Sequence, residues 1–590
     1  TTMVVVAGGL AFAKSAAVGI TASTTQVLNK VHAYINDADV NSTHGKVSVT
    51  AGFKPPDTDA NLKAISLGTS GIVMPEAAGS QIVNIAVGVA GSATSFAGGA
   101  AISLNWIRND VQAYAANGAK VTALGDITFA AVDDPEIDTF AAGGGFTGGS
   151  GGVGVGFSYN YIGGDPGNPS RDFEDYDPNH PSQHGKASAN IGKALANVNA
   201  STVTSTGGSV SILAGTTPKI INATIAGGGG STVGISGAVS INFIRSLVEG
   251  TVTGGSSITA NNSVKVGASA TPIMITIAGN VSVGGTAGLG AAVAVNDMQS
   301  KITAKVDGSM VKATTGDIIV DAAIGKAAVL PSLETDMPVD AQIWSFAVSG
   351  AGASTAAIAA SGSLNWIRNT VEASISNVGN IDGSADEISA GGKVSVTASD
   401  ASTLNALAGG FAVAITPGSV GIGAALAYNY LGGSPENSSN EDNNSVKASI
   451  SNITGQLKAG SIEVKSSYTG SINNLTIGGA GAATVAIGGA VSINNIRNTS
   501  DAGITGSTGI STTSGNVGIQ ATDTSTIRAL AGGVGIAVAP GGGVAAAVGV
   551  SVGTNNITNT TKAHIDSSSV TSAGIQPTVS RVSGWWPRSA

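Results

Sequence analysis

A short acidic segment is the densest group of side chains in this sequence that could bind a metal ion. Residues 165–185 combine carboxylates with His180, His184 and four prolines. Carboxylate oxygens are the ligands that Ca²⁺ takes in proteins. The spacing matches neither an EF-hand loop nor the Gly-Gly-x-Gly-x-Asp nonapeptide, so a solvated loop is the favoured interpretation and no cofactor is assigned. The weak Ca²⁺ candidates are Asp172, Glu174, Asp175 and Asp177.

Three other motif matches predict no chemistry. Residues 143–148 and 149–154 satisfy the dinucleotide glycine spacing, but neither opens a helix, and a chain with 86 glycines matches such a pattern by chance. Residues 549–553 match the nucleophile-elbow pattern around Ser551, which lies inside an alternating strand pattern with no strand-to-helix turn. We therefore predict no catalytic residue, no small-molecule substrate and no enzymatic activity.

The elements that carry these residues belong to an internal repeat. The heptapeptide Ser-Leu-Asn-Trp-Ile-Arg-Asn occurs at Ser103–Asn109 and again at Ser363–Asn369. Its first Asn marks a module that recurs along the chain, and we take Asn29 as the earliest copy. A second marker opens an apolar/x/apolar run and recurs in step, from Val47 to Val517. The later copies of the first marker are Asn105, Asn160, Asn242, Asn296, Asn365, Asn429, Asn494 and Asn555.

The modules have a second, longer period. Each module has about 55–80 residues, and four of them make a super-repeat of about 260 residues, at approximately 30–296 and 297–555. The pattern begins and ends partway through a module, so we expect a piece of a longer chain. A regular repeat favours one elongated domain over several globular ones.

The composition excludes several classes of protein. The 590 residues carry 27 basic and 36 acidic side chains, a formal charge of −9, without a basic cluster, so we predict no nucleic-acid partner. Hydrophobic residues make up 42% of the chain and alternate with small ones, which argues against disorder. The absence of Cys excludes disulfides and thiolate sites and suits an exported protein.

The alternation of side chains predicts an all-β fold. Apolar and polar residues alternate with a period of two, as in Val394–Thr397, and helical stripes are almost absent. A long all-β repeat hides its sheet edges when each coil hydrogen-bonds to the next. We predict an elongated β-solenoid, a right-handed parallel β-helix, over 1–576, with projecting loops at 165–185 and 434–445 and a non-repeat tail at 577–590. In runs such as Ala408–Ala414, large and small residues occupy opposite faces, so two sheets could approach closely.

The residue three positions after the marker Asn alternates between Arg and an uncharged residue. If each module adds one layer, the cations lie about 9.6 Å apart, close to a Debye length, and not about 4.8 Å. Duplication of a two-module ancestor accounts for the same pattern. The stack is roughly 43 Å tall with one coil per module and roughly 140 Å with about 20 residues per coil. The arginines are Arg108, Arg245, Arg368 and Arg497.

One recurring motif points to a family. Gly-Ala-Val-Ser-Ile-Asn-x-Ile-Arg, at 237–245 and 489–497, resembles the repeats of large bacterial filamentous adhesins of the leukotoxin-like and filamentous-haemagglutinin-like kinds. The resemblance covers nearly all of residues 3–575. It implies a non-catalytic β-helical shaft on the bacterial cell surface or outside the cell, which attaches to a host or neighbouring cell or self-associates into a fibre.

Two hypotheses from other classes stay open. An outer-membrane β-barrel or pore fits strands of about ten alternating residues, but a barrel needs aromatic girdles and only 4% of the residues are aromatic. A polysaccharide-acting β-helix enzyme needs carboxylates or basic residues clustered on one sheet face, whereas the charged residues here are scattered along the sequence.

Overall fold

The chain folds as an all-β solenoid, as the alternation of its side chains predicted. A computed structural model describes residues 1–52, 80–164, 191–325, 342–379, 387–433, 443–539, 543–574 and 578–583, together with the backbone of two short strands at 65–67 and 72–74. Within these ranges there is no helix. Nearly all strands belong to two sheets, of 23 and 11 strands, in which each strand pairs in parallel with its equivalents in the preceding and following layers.

The strands of the first four layers follow one another along the chain in a regular order. Layer one holds β1 (Thr2–Ala13), β2 (Ala16–Asn36), β3 (Asp39–Ser42) and β4 (Val47–Ala51), followed by the antiparallel pair β5 (Ile65–Leu67) and β6 (Ile72–Met74). Layer two holds β7 (Gln81–Ser92), β8 (Phe96–Ala116), β9 (Lys120–Ala123) and β10 (Ile127–Asp133). Layer three holds β11 (Glu136–Thr147), β12 (Gly151–Ile162), β13 (Lys193–Asn199), β14 (Thr202–Ser205) and β15 (Val210–Thr216). Layer four holds β16 (Lys219–Gly230), β17 (Val233–Thr253), β18 (Ser257–Ala260) and β19 (Val264–Ala270).

The later layers repeat this order, with some strands fused across the layer boundary. Layers five and six hold β20 (Ile273–Gly284), β21 (Ala287–Asp307), β22 (Met310–Ala313), β23 (Ile318–Ile324), β24 (Ile343–Ala353), β25 (Ala356–Ser376) and β26 (Glu387–Asp400). Layers seven and eight hold β27 (Thr403–Ala414), β28 (Val420–Leu431), β29 (Asn444–Ser451), β30 (Gln456–Ala482), β31 (Val485–Thr505) and β32 (Ile510–Thr512). The last described layer holds β33 (Val517–Ala537), β34 (Ala546–Asp566), β35 (Val570–Thr571) and β36 (Thr578–Ser583).

Each sequence module forms one coil of the solenoid. The strand registers place the eight marker asparagines from Asn105 to Asn555 directly above one another. The second marker forms its own column from Val47 to Val517. The described residues thus form nine layers, about 43 Å of stack at about 4.8 Å per layer. The assignment of Asn29 as the earliest marker was wrong, because Thr25 pairs with Asn105 and Asn29 pairs with Asn109.

Each coil has two compartments, which we name the body and the blade. In layer two the blade is the segment 83–104, in which β7 and the first half of β8 face each other across a tight turn at 93–95. The body of that layer is the segment 106–137, and equivalent segments define the two compartments in the other layers. The body encloses one continuous core of buried Ile, Val, Ala and Phe side chains, including Ile127 and Phe129, which runs through the stack.

The interior of the blade contains mainly small residues because its two sheets nearly touch. A Cβ atom placed on Gly88 would lie 1.8 Å from the carbonyl oxygen of Ala100, and one on Gly143 would lie 1.8 Å from that of Val155. Real Cβ atoms do not approach other atoms this closely, so larger residues cannot occupy these positions. Small clusters such as Ala86, Ala101 and Ala141 fill the remaining interior. The predicted close approach of two sheets is confirmed.

Candidate functional site

The eight marker asparagines form a continuous hydrogen-bonded column between the body and the blade. The amide nitrogen of each donates to the side-chain oxygen of the next, over 2.8–2.9 Å, from Asn105 to Asn555. Seven of the eight side chains are fully buried, and Asn555 is exposed in the last described layer. We call this row the neck.

Residues of the opposite sheet complete the hydrogen bonds of the neck. Asn84 donates to Asn105 over 2.6 Å, and the hydroxyl of Thr276 donates to Asn296 over 2.6 Å. Asn296 in turn donates to Ser345 over 3.0 Å. Buried amides need such partners, since an unsatisfied one costs about 1–3 kcal/mol. The column is therefore satisfied from within the fold and holds the two sheets in register.

The four predicted arginines occupy one column on the outer side of the second sheet, in alternate layers. Gln299 lies between Arg245 and Arg368, and Thr558 lies beside Arg497. The backbone amides of Gly163 and Gly432 bond to the carbonyl oxygens just before Arg108 and Arg368, which places both glycines in the intervening layers. The alternation seen in the sequence is thus an alternation in space.

A buried carboxylate joins two of these arginines, and the sequence reasoning missed it. The Nη2 atoms of Arg245 and Arg368 lie 2.7 and 2.8 Å from Oδ2 of Asp297. Burial alone would raise the pKa of Asp297, but the two guanidinium groups outweigh burial and hold that pKa below its usual value. Two cations two layers apart are therefore linked by an anion in the layer between them.

A second column contains the buried acids of the body. Asp133, Asp400 and Asp523 occupy equivalent positions in three layers. Each accepts a hydrogen bond from an Asn four residues after the neck column; the pairs and distances are Asn109–Asp133, 2.7 Å, Asn369–Asp400, 3.0 Å, and Asn498–Asp523, 2.7 Å. Burial raises the pKa of Asp133 to about 7 and that of Asp400 to about 6, and it also raises the pKa of Asp523.

Each of these acids joins the two sheets within one coil, and Asp523 also accepts a hydrogen bond from Asn559 of the next layer over 2.7 Å. The fold encloses them. Asp133 and Asp400 have almost no contact with solvent. Among the residues that the structure describes, no three His, Cys, Asp or Glu side chains converge as a metal site would require. The predicted Ca²⁺ candidates Asp172, Glu174, Asp175 and Asp177 lie outside the described residues, as do most of the loop at 434–445 and parts of the tail at 577–590.

The outer surface of the blade is apolar on its first sheet, a surface we name face A. Four outward rows cross nine strands, and every position in them is Val, Ile, Leu, Phe, Ala or Gly. Large apolar side chains on this face are exposed to solvent: Leu10 is 69% exposed, Phe146 52% and Val281 60%. The row next to the neck runs Val6, Ile85, Phe140, Ala223, Ile277, Phe346, Leu407, Leu475 and Leu530.

The opposite surface of the blade, face B, has the same character. Four outward rows of the second sheet contain only Val, Ile, Leu, Phe, Ala and Gly across the nine layers. The second row from the tip runs Val18, Gly98, Val153, Ile235, Leu289, Ile358, Ile422, Ile487 and Val548. The charged side chains within the strands of this sheet lie in the body, where Lys193 pairs with Asp110.

Polar groups line the two borders of face A. At the neck, a groove of about 540 Å³ contains Trp344 stacked on Phe346, the amides of Asn405 and Asn473, and Arg528. At the tip, eight consecutive layers place a hydroxyl at the same position; these residues are Ser15, Ser95, Ser150, Thr232, Thr286, Thr355, Ser419 and Thr484. Face A is thus an apolar surface between a polar tip and a polar groove.

Sequence reasoning recognised two unlike faces in these strands but did not identify which one meets water. The available signal was the density of Gly and Ala on one side, which only a very close sheet pair can require. No family model, curated protein or solved structure matches the chain. Within the described ranges, no helix has the length and apolar character to cross a membrane.

Proposed function

We propose that this chain is a non-catalytic, adhesive section of a shaft on the bacterial cell surface or in an extracellular fibre. The observation that carries the proposal is the pair of charge-free apolar faces on the blade. A monomeric soluble protein rarely exposes a contiguous apolar patch larger than about 300–600 Å², and larger patches mark sites of interaction. The partner is a host or neighbouring cell surface, or another copy of the shaft.

The construction of the stack supports the role of a shaft. Each layer bonds to the next through backbone ladders and through the asparagine column, so added layers lengthen the stack without changing its cross-section. The charged and titratable side chains of the described core serve these internal networks. The resemblance to filamentous adhesins stated from the repeat motif agrees with this reading.

Surface display tests the proposed function. Residues 1–590 would be displayed on a bacterial cell that does not attach by itself, and attachment would be counted on host cells and on an apolar coated surface. We expect attachment that persists at high salt, because apolar contacts are not screened as ionic contacts are. A variant that carries both Val281→Glu on face A and Val155→Glu on face B should lose this attachment.

The matched control for this assay is Leu124→Glu, because Leu124 is an exposed leucine of the body and 50% of its side chain is accessible. That variant should attach like the parent chain. Two outcomes contradict the proposal: attachment that survives both blade substitutions, or purified chain that releases sugars from polysaccharides.

A further inference from the structure

We propose that face A is the contact surface between two copies of this chain, which pair about a two-fold axis that lies in the plane of the interface, parallel to the stack. The inference rests on the proposed function only in treating the blade as the contact surface. It adds the partner and the orientation. The area of face A, its lack of charge, the step between blade and body, and the polar groups at the two borders favour such a pair.

The area of face A exceeds what a stable dimer needs. Four rows span roughly 27 Å along the strands, and nine layers span roughly 43 Å along the stack, which gives an area on the order of 1,100 Å². Standard stable interfaces bury about 800 Å² on each partner. No charge has to be desolvated, since no residue in these rows is charged. Pairing of identical faces brings no like charges together.

The relief of face A suits packing against a second sheet. The rings of Phe146 and Phe411 lie over glycines of their own and neighbouring strands, so raised rings alternate with flat backbone. Two pleated sheets pack face to face about 10 Å apart with interdigitated side chains. A rigid second copy can match such relief over its full area, and Val281 lies near the centre of the face, in the fifth of nine layers.

The shape of the coil sets the orientation of the pair. The body is thicker than the blade, because its interior holds side chains such as Phe129, whereas glycines such as Gly143 admit no side chain in the blade interior. Two copies whose blades pointed the same way would collide at their bodies before the faces met. A two-fold axis between the two faces, parallel to the stack, reverses the direction of the second blade and places each body beyond the tip of the other blade, as an isologous dimer allows.

In this orientation the polar borders meet each other. Because the axis is parallel to the stack, each layer meets the same layer of the other copy. The tip hydroxyls of Thr355 and Thr484 in one copy therefore approach the neck groove of the other. That groove offers the amides of Asn405 and Asn473 and the guanidinium of Arg528 as donors. Hydroxyl oxygens accept hydrogen bonds from such groups. A lipid surface is the less favoured partner. Attraction to anionic lipids needs basic residues beside the apolar surface, and the row that borders face A at the neck carries one acid, Asp138, and one base, Arg528.

Sedimentation velocity on the 590-residue chain tests the pairing. We expect the parent chain to have twice the mass of one copy and Val281→Glu to have the mass of a single copy with an unchanged circular dichroism spectrum. The control Leu124→Glu should remain paired. A parent chain that sediments as a single copy, or Val281→Glu chains that stay paired, would overturn the inference.

A cross-linking experiment keeps the inference testable if Val281→Glu does not fold. The natural chain has no Cys, so Val281→Cys introduces one thiol near the two-fold axis. Mild oxidation joins the thiols of two copies in one disulfide and transfers two electrons to the added oxidant. We expect a covalent pair from Val281→Cys and none from Leu124→Cys.

The two proposals fail separately. Single-copy chains that float with uncharged phosphatidylcholine vesicles would replace the second copy by lipid and overturn this inference. Single-copy chains that still attach cells in the display assay would also overturn it and leave the proposed function standing. Paired chains without attachment would support the interface and count against the adhesive function.

Discussion

The body and the blade share strands of the second sheet, but large residues face inward in the body and outward in the blade. In β8, the residues before Asn105 place Ala101 inward and Ile102 outward, whereas the residues after it place Ile107 inward and Arg108 outward. The strand keeps its alternation throughout, so only the size and polarity of the two faces change. The reversal occurs at the asparagine column, where the distance between the sheets changes.

The comparison shows that distance between sheets decides which residues face inward. In the body, the sheets stand far enough apart for Ile, Val and Phe to fill the space, as in an ordinary core. In the blade, opposing backbones are so close that the interior accepts little beyond Gly, Ala, Ser and Thr, and the large apolar residues must point outward. The apolar exterior of the blade is therefore a consequence of its thinness.

The largest expected effect on stability is the loss of a buried phenylalanine of the body, compared with the loss of an exposed one on the blade. Phe129 is fully buried in the body, and Phe146 is 52% exposed on face A. We expect Phe129→Ala to lower the free energy of unfolding by about 3–5 kcal/mol, because it leaves a cavity. Phe146→Ala, made in the single-copy Val281→Glu chain so that face A stays exposed, should cost less than about 1 kcal/mol. Urea denaturation of both variants measures the difference, and equal losses would erase the distinction between body and blade.

The second prediction concerns pH and acts on the body alone. Because the pKa of Asp133 is raised to about 7 in the folded chain, the folded state holds a proton that the unfolded state releases above about pH 4. Stability should therefore fall as pH rises from about 4 to about 7, by up to about 4 kcal/mol for this group. Asp400 adds to the fall up to about pH 6.

Asp133→Asn is the matched variant for this test, since an amide oxygen still accepts from Asn109 but does not titrate. Its unfolding free energy should vary less between pH 5 and pH 8, values chosen to bracket about 7. Hydrogen exchange should show the loss of protection at high pH in body strands such as β10 before blade strands. A parent chain that becomes more stable over this range would contradict the raised pKa.

The third prediction uses two adjacent glycines. A Cβ on Gly488 would lie 2.1 Å from the carbonyl oxygen of Val534, whereas one on Gly489 would meet nothing within 4 Å. We expect Gly488→Val to cost about 3 kcal/mol, because two backbones must separate. Gly489→Val should change stability by less than about 0.5 kcal/mol. Thermal unfolding compares the two, and similar melting temperatures would show that the blade is not as thin as described.

The smallest effect is expected at the neck, which the two compartments share. Asn296 accepts from Asn242 over 2.9 Å and donates to Asn365 over 2.8 Å. Asn296→Ala should cost about 2 kcal/mol, because buried neighbours lose their partners. Asn555→Ala, in an exposed position, should cost less than about 1 kcal/mol. The test is urea denaturation of both variants, and a larger loss for Asn555 would reverse the expected order.

The fold could be predicted from the sequence because every layer of the stack needs the same residue types at the same positions. The asparagine that bonds above and below must recur, so its spacing marks the coil, and the alternation of Val and Ile with small residues marks the strands. Asn29 was mistaken for the marker because the first layer has Thr25 in the neck column and has an Asn only in the column four residues farther along, that of Asn109. The number of residues per coil stayed open because spacing along the chain does not reveal where strands pair.

The buried acids and the apolar faces could not be read in the same way. Asp400 and Asp523 lie in similar local sequences, at 398–404 and 521–527. Asp133 shares with them its place six residues after the second marker. That spacing marks a column, but it does not show that the carboxylates are buried or that each meets an Asn of the other sheet. Asp297 lies two residues before Gln299 and pairs with arginines from the layers on either side, a relation that sequence distance hides. Alternation shows that a strand has two faces, but the separation of the sheets decides which one meets water.

A distance measurement between layers tests the central claim, that successive modules stack as single coils in register. Nitroxide labels would be placed at Ser95→Cys with Thr355→Cys, and at Ser95→Cys with Thr484→Cys, in a chain that has no Cys of its own. These tip positions lie four and six layers apart. Double electron–electron resonance, with labelled chain diluted in unlabelled chain, should give about 19 and about 29 Å. Distances that do not grow by about 4.8 Å for each module would contradict the stack.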